Sequence, residues 1–119
     1  MAASPSTTAR GRAGESLAAR YLEDRGYVIL ARNLRVGRDE VDLVALDGAT
    51  LVCVEVRARR AGSMVHPFES ITAAKRARMR RSASRHAIER SVRDVRIDVI
   101  AVIDGQIDHI EGAVDFSER

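Results

Sequence analysis

A single α/β domain, with a mixed β-sheet flanked by helices, is the architecture this sequence predicts. Three observations lead there. The chain has 119 residues, enough for one domain whose core needs no staples. Its hydrophobic content is 45% without a tryptophan, so the core must be built mostly of Val, Leu, Ile and Ala. Apolar runs of strand length and two stretches of helical character follow one another in the order αβββαββ.

A first helix is expected over residues 9–25, where Leu17, Ala18, Tyr21 and Leu22 form an apolar face and Gly26 supplies the stop. Glu15 lies one turn before Ala18 and projects near that face; position alone reads it as a solvated glutamate at a helix start. Residues 27–33 form a first strand, 34–39 a loop around Gly37, and 40–46 a second strand. Asp47-Gly48 is a hairpin turn signal, and residues 50–59 form the third strand. After a loop containing His66 and Pro67, a long helix covers residues 72–89 with Thr72 as its N-cap. Ala77, Ala83, Ala87 and Ile88 are its expected apolar contacts. Residues 95–103 form a fourth strand, which can pair parallel with an earlier one because a helix precedes it. Asp104-Gly105 is a second turn, and residues 106–111 a fifth strand. Residues 1–9 form a disordered Ser/Thr/Pro lead-in, 10–114 the single domain and 115–119 a tail.

The net charge is +3, only mildly basic. All but one of the 20 Lys and Arg residues are arginine, Lys75 being the exception. Arginine suits planar phosphate and carboxylate partners, although a GC-rich coding bias gives the same excess. The single cysteine, Cys53, precludes an internal disulfide and reads as a small buried hydrophobe in a reduced compartment. No run reaches the length of a transmembrane helix, and residues 1–8 lack the apolar core of a signal peptide, so a cytoplasmic protein without a membrane partner is expected.

The chemistry concentrates in the central hairpin. Asp42 interrupts Glu40-Val-Asp42-Leu-Val-Ala, and Glu55 and Arg57 interrupt Leu51-Val-Cys-Val-Glu55-Val-Arg57. Burying a carboxylate is costly unless it is paired or binds a metal. Side chains alternate along a strand, so Glu55 and Arg57 share a face. A two-residue loop at Asp47-Gly48 puts Asp42 opposite Cys53 with Glu55 on the diagonal. A four-residue loop over 47–50 puts Asp42 opposite Glu55. Either places both carboxylates on one face, where they repel unless a positive group lies between them. Two readings stand open: a cross-strand ion pair with Arg57, or a Mg²⁺ site whose cation, two carboxylates and Arg57 would hydrolyse a phosphodiester.

Cations crowd the second helix: Lys75, Arg76, Arg78, Arg80, Arg81 and Arg85, with Arg90 and Arg93 beyond. Lys75, Arg78 and Arg85 fall close to one helical face. Such a stripe suits a phosphate backbone, and equally a solvated surface. Aromatic content is 3%, too little for recognition of single strands by base stacking. His66 is expected as a loop cap, His86 as a surface residue and His109 in a structural hydrogen bond.

Taken in order, Gly14-Glu15-x-Leu-Ala-Ala-x-Tyr-Leu, Gly26-Tyr-x-Ile-Leu-Ala-Arg-Asn33, Glu40-Val-Asp42-Leu-Val-Ala, Leu51-Val-x-Val-Glu55-Val-Arg57 and His109-Ile-Glu111 resemble the YraN-like family of bacterial proteins. The resemblance spans residues 14–114. That family is placed with the PD-(D/E)XK nucleases, near the archaeal Holliday-junction resolvases. The resemblance implies a restriction endonuclease-like core and a Mg²⁺- or Mn²⁺-dependent endonuclease acting on DNA, including branched or otherwise structured DNA. It implies Asp42 and Glu55 as metal ligands, with Glu15 completing the acidic set, and Arg57 and Lys75 as catalytic cations. Arg57, Arg59, Lys75, Arg78, Arg81 and Arg85 are the expected DNA contacts. Resolvase-like folds often dimerise to cut two strands, so a homodimer belongs to the same analogy. Two positions depart from the family. Arg57 stands where lysine is usual, and unlike lysine it stays protonated. Asp39 stands where glycine is usual and adds negative charge near the site. The alternative is a DNA-binding accessory protein of DNA processing or repair, with weak or no catalysis.

Overall fold

The computed structural model describes residues 9–59, 62 and 67–116. Their order is α1 (Ala9–Asp24), β1 (Val28–Val36), β2 (Asp39–Asp47), β3 (Thr50–Arg59), a 3-10 turn at Pro67–Ser70, α2 (Ala73–Glu89), β4 (Asp94–Ile103) and β5 (Gln106–Ile110). The strands form one five-stranded sheet in the order β1-β2-β3-β4-β5. β3 and β4 pair parallel, joined by α2 as the crossover, and every other pairing is antiparallel. This is the predicted αβββαββ chain, a mixed sheet with helices, consistent with a restriction endonuclease-like core. Of the lead-in expected over residues 1–9, Ala9 already belongs to α1, and residues 1–8, like the loop cap at His66, lie outside the described residues.

Alternation along the strands sends side chains into two cores. One lies under α1, where Ala18, Ala19 and Leu22 pack on Leu43, Ala45, Val52, Val54 and Ile100. The other lies under α2, where Ala83 and Ala87 pack on Val44, Leu51, Cys53 and Ile97. A fully buried Leu22 or Leu43 contributes roughly 1.5–3 kcal/mol of transfer free energy.

Several expectations change. Leu17 is 41% exposed, and Ala19 takes the buried place instead. The reason is helical phase: Gly14, Ala18 and Leu22, four residues apart, face the sheet, and Ala19 lies nearer to that face than Leu17 does. The approach is closest at Gly14, where a Cβ would lie 3.1 Å from the Ala58 Cβ. The predicted loop at 34–39 is strand through Val36, because Gly37 at φ +62 closes a tight turn. On α2, Ile88 is 76% exposed rather than a core contact, and His86 is buried rather than at the surface. The fifth strand ends at Ile110. Thr72 caps α2 as predicted, its Oγ1 accepting from the Lys75 N–H at 3.1 Å.

Asp98, on β4, is the one fully buried carboxylate among the described residues. Arg96 Nε donates to its Oδ1 at 2.8 Å, and the Gly112 N–H donates to the same oxygen at 2.9 Å. His109 Nε2 meets Oδ2 at 2.7 Å, while Nδ1 lies 3.2 Å from the Tyr21 hydroxyl. Arg96 also donates to the Tyr27 hydroxyl at 2.7 Å. The structural hydrogen bond expected of His109 is therefore present, and it ties the C-terminal half of α1 to β4 and β5. Burial alone would raise the Asp98 carboxyl, but its bonds from His109, Arg96 and Gly112 prevail and hold it below 3.8.

Asp98→Ala leaves Arg96 and His109 without their buried partner, so a loss of about 3–5 kcal/mol is expected in urea unfolding at neutral pH. A depressed carboxylate stabilises above its unfolded pKa and ceases to do so as pH falls through its folded value. The difference from wild type should therefore shrink below about pH 4. A loss under 1 kcal/mol at pH 7 would show that the network does not hold α1 in place.

Candidate functional site

The β2–β3 ladder runs from Asp47 opposite Thr50 to Leu43 opposite Val54. The register is that of the four-residue loop over 47–50, closed one pair further by Asp47 opposite Thr50, so that the turn itself is Gly48-Ala49 and not Asp47-Gly48. This register would next set Asp42 opposite Glu55. There the ladder stops, and Asp42 Oδ2 accepts the backbone N–H of Val56 at 2.8 Å. A side chain replaces the neighbouring strand, and the two strands part around the carboxylates.

Both edges of this opening carry an irregularity. Val41 and Val44, three residues apart, both pack under α2, whereas Leu43 packs under α1. Alternation therefore breaks at Asp42. On β1, the residue between the pairs Arg32–Leu43 and Leu34–Val41 is Asn33, whose backbone is left-handed at φ 51. Asparagine tolerates that conformation better than other side-chain-bearing residues. Its side chain is hydrogen-bonded to Glu15.

Glu15 reaches the opening from α1, beside the Gly14 that lets the helix approach β3. Burial raises the Glu15 carboxyl, the Asn33 bond opposes this, and Glu40 and Glu55 add repulsion. Asp42 is perturbed more strongly. Burial and then the charge of Glu55 push it up to about 7, against the Val56 hydrogen bond. Glu55 is held from two sides: Arg57 Nε lies 3.0 Å from Oε2 and Lys75 Nζ 3.7 Å from Oε1. Arg57 Nε has no aligned hydrogen bond, so that contact is ionic. Burial pushes the neighbouring Cys53 thiol up to about 12, as befits an inert core residue.

Glu15, Asp42, Glu55, Arg57 and Lys75 are thus brought together at one end of the central hairpin. The other predicted contacts are spread out. Arg78 is exposed on α2 and lines a groove of about 470 Å³ beside Glu55. Arg81 borders a different depression, with Ile88 and Phe116. Arg59 donates to the Ala58 carbonyl. Arg85 pairs with Asp39 at 3.0 Å, so the extra negative charge of Asp39 is balanced. Sequence reasoning missed Asn33 as a structural member of the site. It also missed Arg38, on the far wall of the groove, and Ser82, whose buried hydroxyl has no hydrogen-bond partner. Asn33 closes the strand predicted over 27–33 and lies inside the observed one, Val28–Val36.

Among the described residues, no three His, Cys, Asp or Glu side chains are placed to form a metal cage. Mg²⁺ does not require one, since it takes one or two carboxylates and completes its shell with water and phosphate oxygens. Asp42 and Glu55 fit that demand. Their mutual repulsion is what a cation between them would relieve.

The raised Asp42 carboxyl has a measurable consequence. Between pH 3.8 and about 7 the folded protein keeps a proton that the unfolded chain has released. Wild-type stability relative to Asp42→Asn therefore falls across that window and levels off above it. With chelator present, Asp42→Asn should match wild type near pH 4 and exceed it at pH 8 by up to ~4 kcal/mol. A difference independent of pH would show that this carboxyl is not perturbed.

Comparison with known proteins gives a consistent family. The model of "Uncharacterised protein family UPF0102" matches residues 14–102. A UPF0102 protein of Paenarthrobacter aurescens is 44% identical over 111 residues, covering 86% of this chain and 90% of the relative. One from an Arthrobacter species is 45% identical over 109 residues, covering 86% and 92%. A third, from Chlorobium chlorochromatii, is 45% identical over 98 residues, covering 82% and 76%. No helix among the described residues is long and apolar enough to cross a membrane. The chain belongs to the UPF0102 family, the YraN-like family that its motifs resemble.

Proposed function

We propose that this protein is a Mg²⁺- or Mn²⁺-dependent endodeoxyribonuclease that acts on branched or otherwise structured DNA. The observation that carries this reading is the pair Asp42 and Glu55 at the parting of β2 and β3, with Asp42 pushed up to about 7 by burial and by Glu55. Ionising Asp42 in such an arrangement is unfavourable, and a bound divalent cation would offset that cost. The succession Asp42 … Glu55-Val56-Arg57 also resembles the PD-(D/E)XK pattern.

In this reading Asp42 and Glu55 hold the metal, and Glu15 assists from α1. A bound divalent cation would supply Lewis-acid polarisation of the phosphoryl group and a water of lowered pKa. The chain does the rest. The Val56 N–H fixes the Asp42 carboxylate, Arg57 and Lys75 orient Glu55, and both cations face charge that develops on the phosphate. Cutting both strands of a junction would take two such sites, hence a homodimer.

One observation favours the DNA-binding accessory reading. Glu55 already has two cationic partners, Arg57 and Lys75, so half of the acidic pair is neutralised by the protein itself.

Cleavage of branched, linear and single-stranded DNA, with Mg²⁺ or Mn²⁺ and with chelator, separates the two. Asp42→Asn and Glu55→Gln should each lower metal-dependent cleavage by about 100-fold or more. Arg57→Lys, which restores the usual amine, should raise it. Cleavage that survives in both carboxylate variants would remove the assignment. Binding without cleavage in either metal would establish the accessory role.

A further inference from the structure

The groove beside Glu55 is of mixed charge: Asp39 and Glu40 also line it, but they pair with Arg85 and Arg35, which leaves Arg38 and Arg78 as the cations of two opposing rims. One wall is the β1–β2 turn, which carries Arg38; the other is α2, which carries Lys75 and Arg78. Among the described residues Arg38 and Arg78 are exposed and pair with no carboxylate, unlike Arg57, Lys75 and Arg85, which are engaged by carboxylates. Between the rims lie Val41 and Met79. Ser82, almost wholly buried, also lines the groove, and its Oγ has no hydrogen-bond partner. Arg57 Nε and Arg85 Nε also lack an aligned bond, but each belongs to a guanidinium paired with a carboxylate; the Ser82 hydroxyl has no such compensation and calls for a partner.

We infer that this groove receives an unpaired nucleotide of the DNA substrate. Arg38 and Arg78 grip the phosphates on either side, the base lies against Val41 and Met79, and Ser82 Oγ bonds its polar edge. The inference rests on the nuclease reading for the identity of the polymer. At about 470 Å³ the groove is of small-ligand size, so it admits a nucleotide and not a duplex. Among the described residues no aromatic ring lines it. The grip is therefore ionic and steric rather than stacked, and it must weaken with salt. Glu55 borders the same groove, so a strand held there would carry its backbone to the carboxylates. Selectivity for branched or tailed DNA would follow from the need for a nucleotide free of its partner strand.

The test compares binding, in chelator, to a blunt duplex, the same duplex with a five-nucleotide tail, and one whose tail is abasic. Wild type should favour the tailed over the blunt duplex by about 10-fold. Arg38→Ala and Arg78→Ala should each remove most of that preference and reduce the salt slope by about 0.7, the single-strand value per phosphate. Arg20→Ala, on the other side of the sheet, should change neither. Ser82→Ala should weaken binding of the normal tail but not of the abasic one, with thermal stability kept or raised. A variant that merely damaged the fold would lower both. Equal binding of blunt and tailed DNA by wild type would overturn the inference, as would Arg38→Ala and Arg78→Ala behaving like Arg20→Ala. Tail preference without cleavage in any metal would sustain the groove assignment and sink the nuclease reading. Cleavage without tail preference would do the reverse.

Discussion

Where β2 leaves β3, the N–H of Val56 loses the strand that would have paired with it, and the Asp42 carboxylate takes the vacated position at 2.8 Å. A buried backbone donor must be satisfied, and a buried carboxylate must be bonded. One contact answers both requirements, and it does so while the strands move apart. Had Asp42 been an apolar residue, the ladder could have continued and no opening would exist. Had the strands simply frayed, Val56 would need water. The kink at Asn33, the break in alternation at Val41 and the approach of Glu15 are all arranged around that parting.

Rigidity on the other side of the sheet makes the arrangement usable. Gly14 lets the first turns of α1 lie against Ala58, and the Asp98, Arg96, His109 and Tyr21 network fastens its last turns. Held at both ends, α1 cannot withdraw Glu15 from the acidic group. The two clusters differ in a way that matters. Around Asp98 the hydrogen bonds overcome desolvation, so the carboxyl lies below its ordinary value; around Asp42 desolvation and Glu55 prevail, and it lies above. The first is a settled structural charge. The second is a carboxyl whose surroundings oppose its charge.

Much of this was legible in the sequence. Period-two apolar runs and two turn signals located all five strands, and the hairpin parity set Asp42 and Glu55 together whichever even loop formed. What escaped had physical causes. Leu17 outranks Ala19 in hydrophobicity, but the face of α1 that meets the sheet is centred on Gly14, Ala18 and Leu22, and Ala19 lies nearer to it. The buried stripe of α2 includes Ser82 and His86, two polar residues that hydropathy assigns to solvent. Residues 34–36 looked like loop because Gly37 marks a turn without saying how tight it is. The left-handed backbone of Asn33 and the partnerless hydroxyl of Ser82 are properties of the packed molecule, and no periodicity encodes them.

The distribution of cation types gives the site its remaining asymmetry. Arginine and lysine differ in more than length: the guanidinium stays protonated, whereas an amine can yield a proton when its surroundings favour it. This chain has a single lysine among its 20 Lys and Arg residues. That lysine, at the first turn of α2, lies 3.7 Å from Glu55, while the position two residues after Glu55 is arginine. Any step at this site that needs an amine can therefore only use Lys75, which comes from a helix and not from the strand that carries the acid. A GC-rich coding bias would give the many arginines. It does not account for where the one lysine stands, and under the nuclease reading the strand arginine becomes a fixed charge clamp while proton transfer, if it uses a side-chain amine, belongs to α2.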